Sequence, residues 1–276
     1  MMIYKNPIAG LIKRRYSCRT FLKEKLGIPQ KKALQKACSL HHHGLLGEDA
    51  KFQLVELRAP ELIALNPDDF SSITNPLTFI VGTIQPSRLA YESYGYLLEY
   101  LVLNAEDLGL GTCWLGYFNK FFFRNVITSG YELMPAVCVL GYPAEERHSS
   151  SRNEWREMFF VEKFGLPLSR ESAGKYGDSF DMLRLAPSSG NTQPWRVVKE
   201  RNRDIFHFYK ETIDFQYEQR KLHNVDLGIG MCHFELAARK NDLEGTWVRF
   251  TNITVLRGNT DYLISWIDSD TDIIAA

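Results

Sequence analysis

Two arginines and a serine stand at alternate positions in the stretch KRRYSCRTF (13–21). In an extended segment, the side chains of Arg15, Ser17 and Arg19 point to the same side. Two guanidinium groups and a hydroxyl that converge can bind a phosphate, because arginine offers paired planar donors and serine adds a third. The same pattern also fits a solvated basic surface, and the residue types alone leave both interpretations open.

A second stretch, APSSGNTQPW (186–195), crowds polar side chains between residues that form turns. Pro187 and Gly190 predict a tight turn, and Trp195 would anchor the strand that follows. The donors and acceptors of this turn are Ser188, Ser189, Asn191 and Gln193. Such a turn can bind the edge of a flat ring rich in nitrogen and oxygen. The alternative is a well-capped loop without a ligand.

A third stretch, GLGTCWLGYF (109–118), contains glycines that allow close approach to the backbone. It follows a predicted helix rather than a strand, and no Lys-Ser/Thr pair comes next, which excludes a P-loop. By itself it indicates the end of a helix and the start of a strand. Cys113 lies within it, and since no base is nearby in the sequence, we expect a packing role rather than a reactive thiol.

The elements that carry these stretches form a repeat. Apolar residues recur at three- and four-residue spacings over 87–111, which predicts a helix ended by Gly109 and Gly111. A similar helix is predicted over 225–245. One offset, 238 − 105 = 133, aligns the two helices and pairs Gly95 with Gly228, Leu103 with Leu236, Ala105 with Ala238, Leu110 with Leu243 and Trp114 with Trp247.

The sequence around each helix also repeats. A polar loop and a β-like run come before each helix, HHHGLLGEDAKFQLVEL in one case and SSGNTQPWRVVKE in the other, and a strand-like run follows, PAVCVLGY or WVRFTNITVL. The sequence therefore predicts two copies of one α+β half, 1–165 and 166–276. Polar segments at 146–157 and 167–179 are expected to link them.

The bulk composition excludes several classes of protein. The chain has 276 residues, 45% of them hydrophobic, and its 33 basic residues balance 33 acidic ones. No overall field therefore attracts nucleic acid or an anionic membrane. We find no secretory signal and no run of apolar residues long enough to cross a membrane, so we expect a cytoplasmic protein. Five widely spread cysteines without a CxxC pair predict reduced thiols.

Two further features invite a function. Three adjacent histidines, 41–43, suggest a metal site, but neighbours in sequence diverge in direction and no matching Asp, Glu or Cys cluster is nearby, so we expect no metal. The aromatic segment GYFNKFFFRN (116–125) fits either a core segment or a lid over a flat substrate.

Together these motifs resemble the FMN-dependent nitroreductase family. RRYSCRTF resembles its N-terminal phosphate motif, APSSGNTQPWRV its flavin-edge motif, LNAEDLGLGTCWLG its late helix and following loop, and LGYPAEER its last core strand. The resemblance implies the nitroreductase α+β fold, with antiparallel or mixed sheets flanked by helices. It also implies FMN as cofactor, NAD(P)H as electron donor and a nitroaromatic or quinone as acceptor, with the chemistry carried by the flavin and no catalytic side chain.

The resemblance also implies the cofactor-binding residues. Arg15, Ser17 and Arg19 would hold the phosphate, with a further contact from Arg152. The ring would be edged by Pro187, Ser188, Ser189, Asn191 and Gln193. The GTCW loop would contribute Cys113, Trp114, Leu115 and Gly116, with backbone amides near Leu115 and Gly116 facing flavin N5.

The order of the motifs departs from that family, in which the Pro-Ser-Ser loop follows the arginine motif closely. Family members are intertwined homodimers whose flavin takes these two motifs from different chains. A fused pair of halves explains the rearrangement, because half one lacks the Asn and Gln of the loop and half two lacks RxSxR. We therefore expect a monomeric, single-chain pseudodimer of the rearranged nitroreductase subgroup, with one working site. Flavin fragmentation and flavin binding without turnover stay open as alternatives.

Overall fold

The computed structural model describes residues 4–40, 43–58, 61, 66–70, 73–126, 131–253 and 257–271. The chain divides into two compact units, residues 1–150 and 151–276. The second unit begins earlier in the chain than the second half of the predicted repeat, because residues 159–161 form a strand in its sheet. We describe each unit in turn.

The first unit contains three α-helices and four strands within its described residues. The elements run α1 (Ile8–Arg14), α2 (Ile28–Cys38), β1 (Ala50–Glu56), β2 (Thr78–Ile84), α3 (Ala90–Asp107), β3 (Gly111–Leu115) and β4 (Val137–Gly141), with short 3-10 helices at Pro67–Phe70 and Lys120–Phe123. The strands form an antiparallel sheet in the order β1-β2-β4-β3. All seven residues of β2 are buried, as expected for a central strand.

The second unit begins with a short helix and strand, α4 (Trp155–Met158) and β5 (Phe159–Val161). It continues with α5 (Gly177–Arg184), β6 (Trp195–Lys199), β7 (Ile205–Glu211), α6 (Phe215–Gln219), α7 (Leu222–Lys240), β8 (Gly245–Val248) and β9 (Thr260–Asp268), with 3-10 helices at Gly174–Tyr176 and Ser189–Asn191. Its sheet has the order β5-β6-β7-β9-β8 and is mixed, because β5 pairs with β6 in parallel while the other pairs are antiparallel. The α+β class with antiparallel and mixed sheets is confirmed.

The two units share one order of elements. Apart from α1 in the first unit and α4, β5 and α6 in the second, each runs helix, strand, strand, long helix, strand, strand. The sheet orders β1-β2-β4-β3 and β6-β7-β9-β8 correspond strand for strand. The ends of the long helices also correspond at the offset of 133. Leu110 N–H donates to Ala105 O at 3.0 Å, and Leu243 N–H donates to Ala238 O at 3.0 Å. This is the geometry that a duplication predicts, although the duplication itself stays a prediction.

Each long helix is buried along almost its whole length. Nearly every residue of α3 and α7 is shielded, including charged ones such as Glu99 and Glu235. A helix buried on all sides belongs in a core rather than at a surface. Each of the two carboxylates accepts a hydrogen bond from a tryptophan indole on the strand after its helix, Trp114 to Glu99 at 2.8 Å and Trp247 to Glu235 at 2.7 Å.

Several predicted boundaries differ from the structure. The first long helix is Ala90–Asp107 rather than 87–111, because the backbone reverses at Gly109, whose φ is +78°, and Gly111 already opens β3. The second is Leu222–Lys240 rather than 225–245, and Asp242, with φ +55°, takes the reversing position.

The predictions for two segments, 247–256 and 167–179, were wrong in part. The strand-like run 247–256 is strand only at 247–248, residues 249–253 have no strand, and 254–256 lie outside the described residues. The segment 167–179 is no simple linker, since a 3-10 helix begins at Gly174 and α5 at Gly177. Tyr176, which is fully buried, ties this segment down by donating from its hydroxyl to Asp268 at 2.6 Å. Within the described ranges, no helix combines the length and the hydrophobicity that a membrane crossing requires.

Candidate functional site

The arginine motif lies beside the strand of the GTCW stretch in the first unit. Ser17 pairs with Thr112 in a parallel bridge, and Cys18 N–H donates to Thr112 O at 2.9 Å. Tyr16 and Cys18 are buried in the hydrophobic core. The extended backbone after α1 therefore alternates, and the intervening residues of the motif are directed away from that core.

Arg15 is the buried cation of this motif. Its side chain is only 8% exposed, and its Nε has no hydrogen-bond partner among the described residues. The neighbouring arginines 14 and 147 both form ion pairs with Glu106, at 3.4 and 3.1 Å. No such pair with a carboxylate is seen for Arg15 in the part of the chain that the structure describes. Because burying a charged donor without a partner costs several kcal/mol, Arg15 fits a site that receives an anion.

A second unpartnered donor lies on the adjacent strand. The Thr112 hydroxyl is buried, with the residue 1% exposed, and has no hydrogen-bond partner among the described residues. Thr112 is the residue that bridges to Ser17. Thr112 belongs to the GTCW stretch, but nothing in the sequence pattern indicated that its hydroxyl could bind a ligand.

Arg19 is exposed and is held by its backbone. Its N–H donates to Glu145 Oε1 at 2.8 Å, and its Nη1 donates to Ser17 O at 3.3 Å. Although burial raises the pKa of Glu145, the hydrogen bonds from Arg19 N–H and Thr20 and the nearby positive charges together keep that pKa below its usual value. The structure thus brings three of the motifs together in the first unit: the arginine motif, GTCW and LGYPAEER.

The GTCW residues form β3 and the turn after it. Burial raises the pKa of the Cys113 thiol, although the arginines of the motif lower it, so Cys113 is a packed thiol and not a thiolate. Leu115 lies in the core, and Gly116 follows directly after the strand. A side chain at Gly111 would come within 2.8 Å of Cys18 Sγ, so glycine is required where the motif crosses the strand.

The aromatic segment after β3 is divided between core and surface. Phe123 is fully buried and its ring contacts Phe70 and Phe79. Phe122 is partly buried and packs on Phe70 at 5.4 Å, which favours the core interpretation for it as well. Phe121 is the exposed ring, at 62%, and the Arg124 guanidinium lies over it at 4.0 Å.

The Pro-Ser-Ser loop of the second unit has a left-handed backbone. Gly190, Asn191 and Gln193 all have φ between +52° and +57°. Asparagine and glycine tolerate this region, but glutamine rarely adopts it. Such strain persists only where neighbouring contacts hold it and is frequent at functional sites. A side chain at Gly190 would also come within 2.7 Å of the Tyr217 ring.

Segment 151–153 holds this loop in shape. Arg152 Nη1 donates to Asn191 Oδ1 at 3.1 Å and its Nη2 to Leu185 O at 3.0 Å. Gln193 is 1% exposed; its Oε1 accepts from Asn153 N–H at 2.9 Å, and its N–H donates to Ser188 Oγ at 2.8 Å. Arg152 therefore lies with the loop. The polar side chains expected to edge a ring are engaged within the loop, with segment 151–153 or, for Ser189, with Asp226.

The comparisons with known proteins agree with these motifs. The family described as "Putative TM nitroreductase" matches residues 7–238. The chain belongs to this nitroreductase family. No curated protein matches it significantly.

One solved structure shares the fold over nearly the whole of this nitroreductase-family chain, and two others are similar to about half of it. A "putative nitroreductase" from Thermotoga maritima MSB8 has 20% identity and a TM-score of 0.62, with 97% of this chain and 96% of that chain covered. A nitroreductase with bound FMN from Bacteroides fragilis NCTC 9343 has 17% identity and a TM-score of 0.44, covering 54% of this chain and 95% of that one. A nitroreductase with bound FMN from Desulfitobacterium hafniense DCB-2 has 19% identity and a TM-score of 0.44, covering 55% and 96%.

A buried carboxyl that contacts the Pro-Ser-Ser loop was not predicted from the sequence. Asp226, on α7, is 2% exposed, and its Oδ1 accepts both Ser189 N–H at 3.0 Å and Ser189 Oγ–H at 3.2 Å. Its Oδ2 is buried and has no hydrogen-bond partner among the described residues. Burial raises the pKa of Asp226 to about 8, although the Ser189 hydrogen bonds lower it. An acidic residue inside an apolar helix was the signal that could have revealed it.

Titratable side chains continue from the loop along α6 and α7. Tyr217 lies at Gly190, and its ring is 6.1 Å from that of His223. His223 is fully buried, its Nδ1 is 3.5 Å from Glu218 Oε2, and burial lowers its pKa despite that carboxylate. The three histidines at 41–43 are only partly described: 41 and 42 lie outside the described residues, and His43 Nδ1 contacts Asp49 at 2.9 Å.

Proposed function

We propose that this chain is an FMN-dependent oxidoreductase that transfers electrons from NAD(P)H to nitroaromatic or quinone-type acceptors. Membership of the nitroreductase family supports the class of reaction. The buried Arg15 guanidinium carries the proposal of a phosphate-containing cofactor, because its Nε is buried without a hydrogen-bond partner among the described residues.

The residues present fit the phosphate of FMN. The unpartnered Arg15 Nε and Thr112 hydroxyl lie on two segments that pair with each other, and both are donors. Phosphate oxygens accept such hydrogen bonds, and arginine offers them in a planar fork. We propose that Arg15, Ser17 and Arg19 hold the phosphate, with Thr112 as a further donor.

The loop at 187–193 is the proposed contact for the flavin ring. Because the side chains of Asn191 and Gln193 are bound to segment 151–153, we propose that they fix the backbone shape of the loop, together with Pro187, Ser188 and Ser189. The loop would then offer chiefly backbone donors and acceptors, as would Leu115 and Gly116. Arg152 is a positioning residue in this proposal rather than a phosphate ligand.

Bound FMN would supply the hydride and electron transfer, and the protein would bind, orient and shield it. The thiol of Cys113 has a raised pKa and would serve packing. No side chain of the proposed site is required as a general acid. Since each motif occurs once in the chain, we further propose a monomeric pseudodimer that binds one FMN.

Titration of FMN into flavin-free protein tests the cofactor, and Arg15→Gln tests the phosphate site. The variant loses a charge-assisted donor in a buried position, a change of about 2 kcal/mol, which is roughly a thirtyfold weaker affinity. Arg14→Gln is the matched control. It removes the same charge at the neighbouring position, and the Arg14 side chain is already paired with Glu106. Equal losses in the two variants would show that only the general positive field matters.

Turnover separates the proposal from its alternatives. The FMN-loaded protein should oxidise NADH or NADPH steadily in the presence of menadione or a nitrofuran, with the flavin unchanged in amount afterwards. A flavin-binding protein without turnover would show no oxidation beyond one equivalent. A flavin-fragmenting enzyme would lose flavin absorbance as the reaction proceeds.

A further inference from the structure

An open pocket of about 640 Å³ lies in the second unit, formed by residues other than those proposed to bind FMN. Its volume is within the range of small-molecule sites. Part of its wall is Arg196 of β6, and the segment 153–165 supplies much of the remainder. All of its lining residues belong to the second unit.

The wall carries a buried guanidinium with one donor to spare. Arg196 is 6% exposed; its Nη1 donates to Gln193 O and Trp195 O, and its Nη2 pairs with Glu211. Its Nε is buried and has no hydrogen-bond partner within the described ranges. The structure thus leaves a polar group of a nine-tenths buried side chain unsatisfied at the pocket wall.

Two more arginines line the pocket, and each pairs with a carboxylate outside the lining. Arg257 lies 3.0 Å from Glu211, and Arg156 pairs with Glu154 in a contact whose side chains are 72% and 63% exposed. Exposed pairs of that kind contribute little and are readily exchanged for a ligand. The lining itself contains three arginines and one carboxylate, Glu157, while the carboxylates that pair with these arginines, Glu154 and Glu211, lie outside the lining.

The remaining wall is aromatic. Phe160 and Phe164 line the pocket, with their ring centroids 5.2 Å apart in an edge-to-face arrangement, and Phe164 contacts Tyr209 at 5.1 Å. Tyr209 is the cross-strand partner of Arg196, so aromatic and cationic groups share one face of the sheet. A flat ring can pack on such a wall while an acidic group on it meets the arginines.

We propose that this pocket binds an aromatic molecule that carries one acidic group, a carboxylate or a phosphate ester. The aromatic wall recognises the ring, and Arg257, Arg156 and the spare donor of Arg196 recognise the anion. The site does not depend on FMN binding, because it shares no residue with the proposed flavin contacts.

Calorimetric titration of the purified full-length protein tests this with four probes. Benzoate and phenyl phosphate represent the two acidic groups, benzamide lacks the charge and inorganic phosphate lacks the ring. We expect at least one of the two aromatic anions to bind, and the tighter of them identifies the acidic group. Benzamide and inorganic phosphate should bind about tenfold more weakly or not at all.

Arg257→Gln locates the binding. It should weaken the aromatic anion about tenfold, because a charged donor at the rim is lost. Arg239→Gln is the matched control: Arg239 and Arg257 are 45% and 44% exposed, each pairs with a buried glutamate, and Arg239 does not line the pocket. The proposal is overturned if neither anion binds, if benzamide binds as well as benzoate, or if both variants have the same effect.

Discussion

Replacing Asp226 with asparagine should remove a large part of the pH dependence of folding between pH 5 and 7. Asp226 is buried, and burial raises its pKa to about 8. In the unfolded chain an aspartate titrates near 4. Between these two values the native state holds a proton that the unfolded state has released, so the free energy of unfolding falls as the pH rises.

The magnitude follows from one proton. One bound proton changes the free energy of unfolding by about 1.4 kcal/mol per pH unit, so the wild type should lose about 3 kcal/mol between pH 5 and 7 through this group. The asparagine side chain of the variant would still offer its Oδ1 to both Ser189 donors, and it does not titrate. The variant should therefore gain stability relative to the wild type as the pH rises.

Urea unfolding at pH 5, 6 and 7 measures this difference directly. The other titratable groups are common to both proteins, so their contributions cancel in the comparison. Glu244→Gln, which changes an exposed carboxylate in the same unit, should run parallel to the wild type at every pH. A constant difference between wild type and Asp226→Asn from pH 5 to 7 would refute the reasoning, because it would mean that Asp226 is ionised throughout.

Three further results are expected. Gly190→Ala should destabilise the second unit by about 1 to 2 kcal/mol in the same urea assay, because an alanine is strained at φ +57° and its Cβ meets Tyr217. The control Gly258→Ala should leave the stability unchanged, because a Cβ there meets no atom within 4 Å. Phe123→Ala should cost about 3 to 5 kcal/mol and Phe121→Ala less than about 0.5, and equal losses would contradict the division of that segment into core and surface. All five cysteines are free and buried, so mass spectrometry should find the native protein resistant to iodoacetamide until denaturant is added.

The sequence predicted the elements better than their ends. The apolar periodicity identified both long helices, because a buried helix needs apolar residues on its inner faces over several turns. Their ends were misplaced where local backbone decides: Gly109 reverses the chain as predicted, but Asp242 does so without being a glycine. Helix propensity alone does not indicate that an aspartate at the end of a helix takes a left-handed conformation.

The candidate site was predictable to the level of its motifs but not of its contacts. Alternation predicted that Arg15, Ser17 and Arg19 share one side of their segment, and the structure places the intervening Tyr16 and Cys18 in the core. The hydrogen bonds that join Gln193 to Asn153 and Asp226 to Ser189 connect residues far apart in the chain. Pairings of this kind depend on the tertiary fold, which a single sequence without homologues does not reveal.

The loops before β1 and β6 differ in a way that bears on the proposal of one flavin site. Ser93 stands where Asp226 does, at the offset of 133, and its Oγ accepts Leu45 N–H at 3.1 Å as Asp226 accepts Ser189 N–H. The same helix position therefore holds the loop in each unit.

The charge around that shared contact differs between the units. In the first unit Glu48 Oε2 accepts from Ser93 Oγ at 2.7 Å and from Leu46 N–H at 3.0 Å, which places a carboxylate in the loop. In the second unit, burial favours the neutral form of Asp226, and Arg152 adds a positive charge at the loop. If the flavin binds at a loop as proposed, its ring, which gains electron density when reduced, would be favoured beside the second loop rather than beside the first. The charges near the two loops thus agree with the sequence motif, because only the second loop contains the Asn and Gln of the flavin-edge motif, at positions 191 and 193.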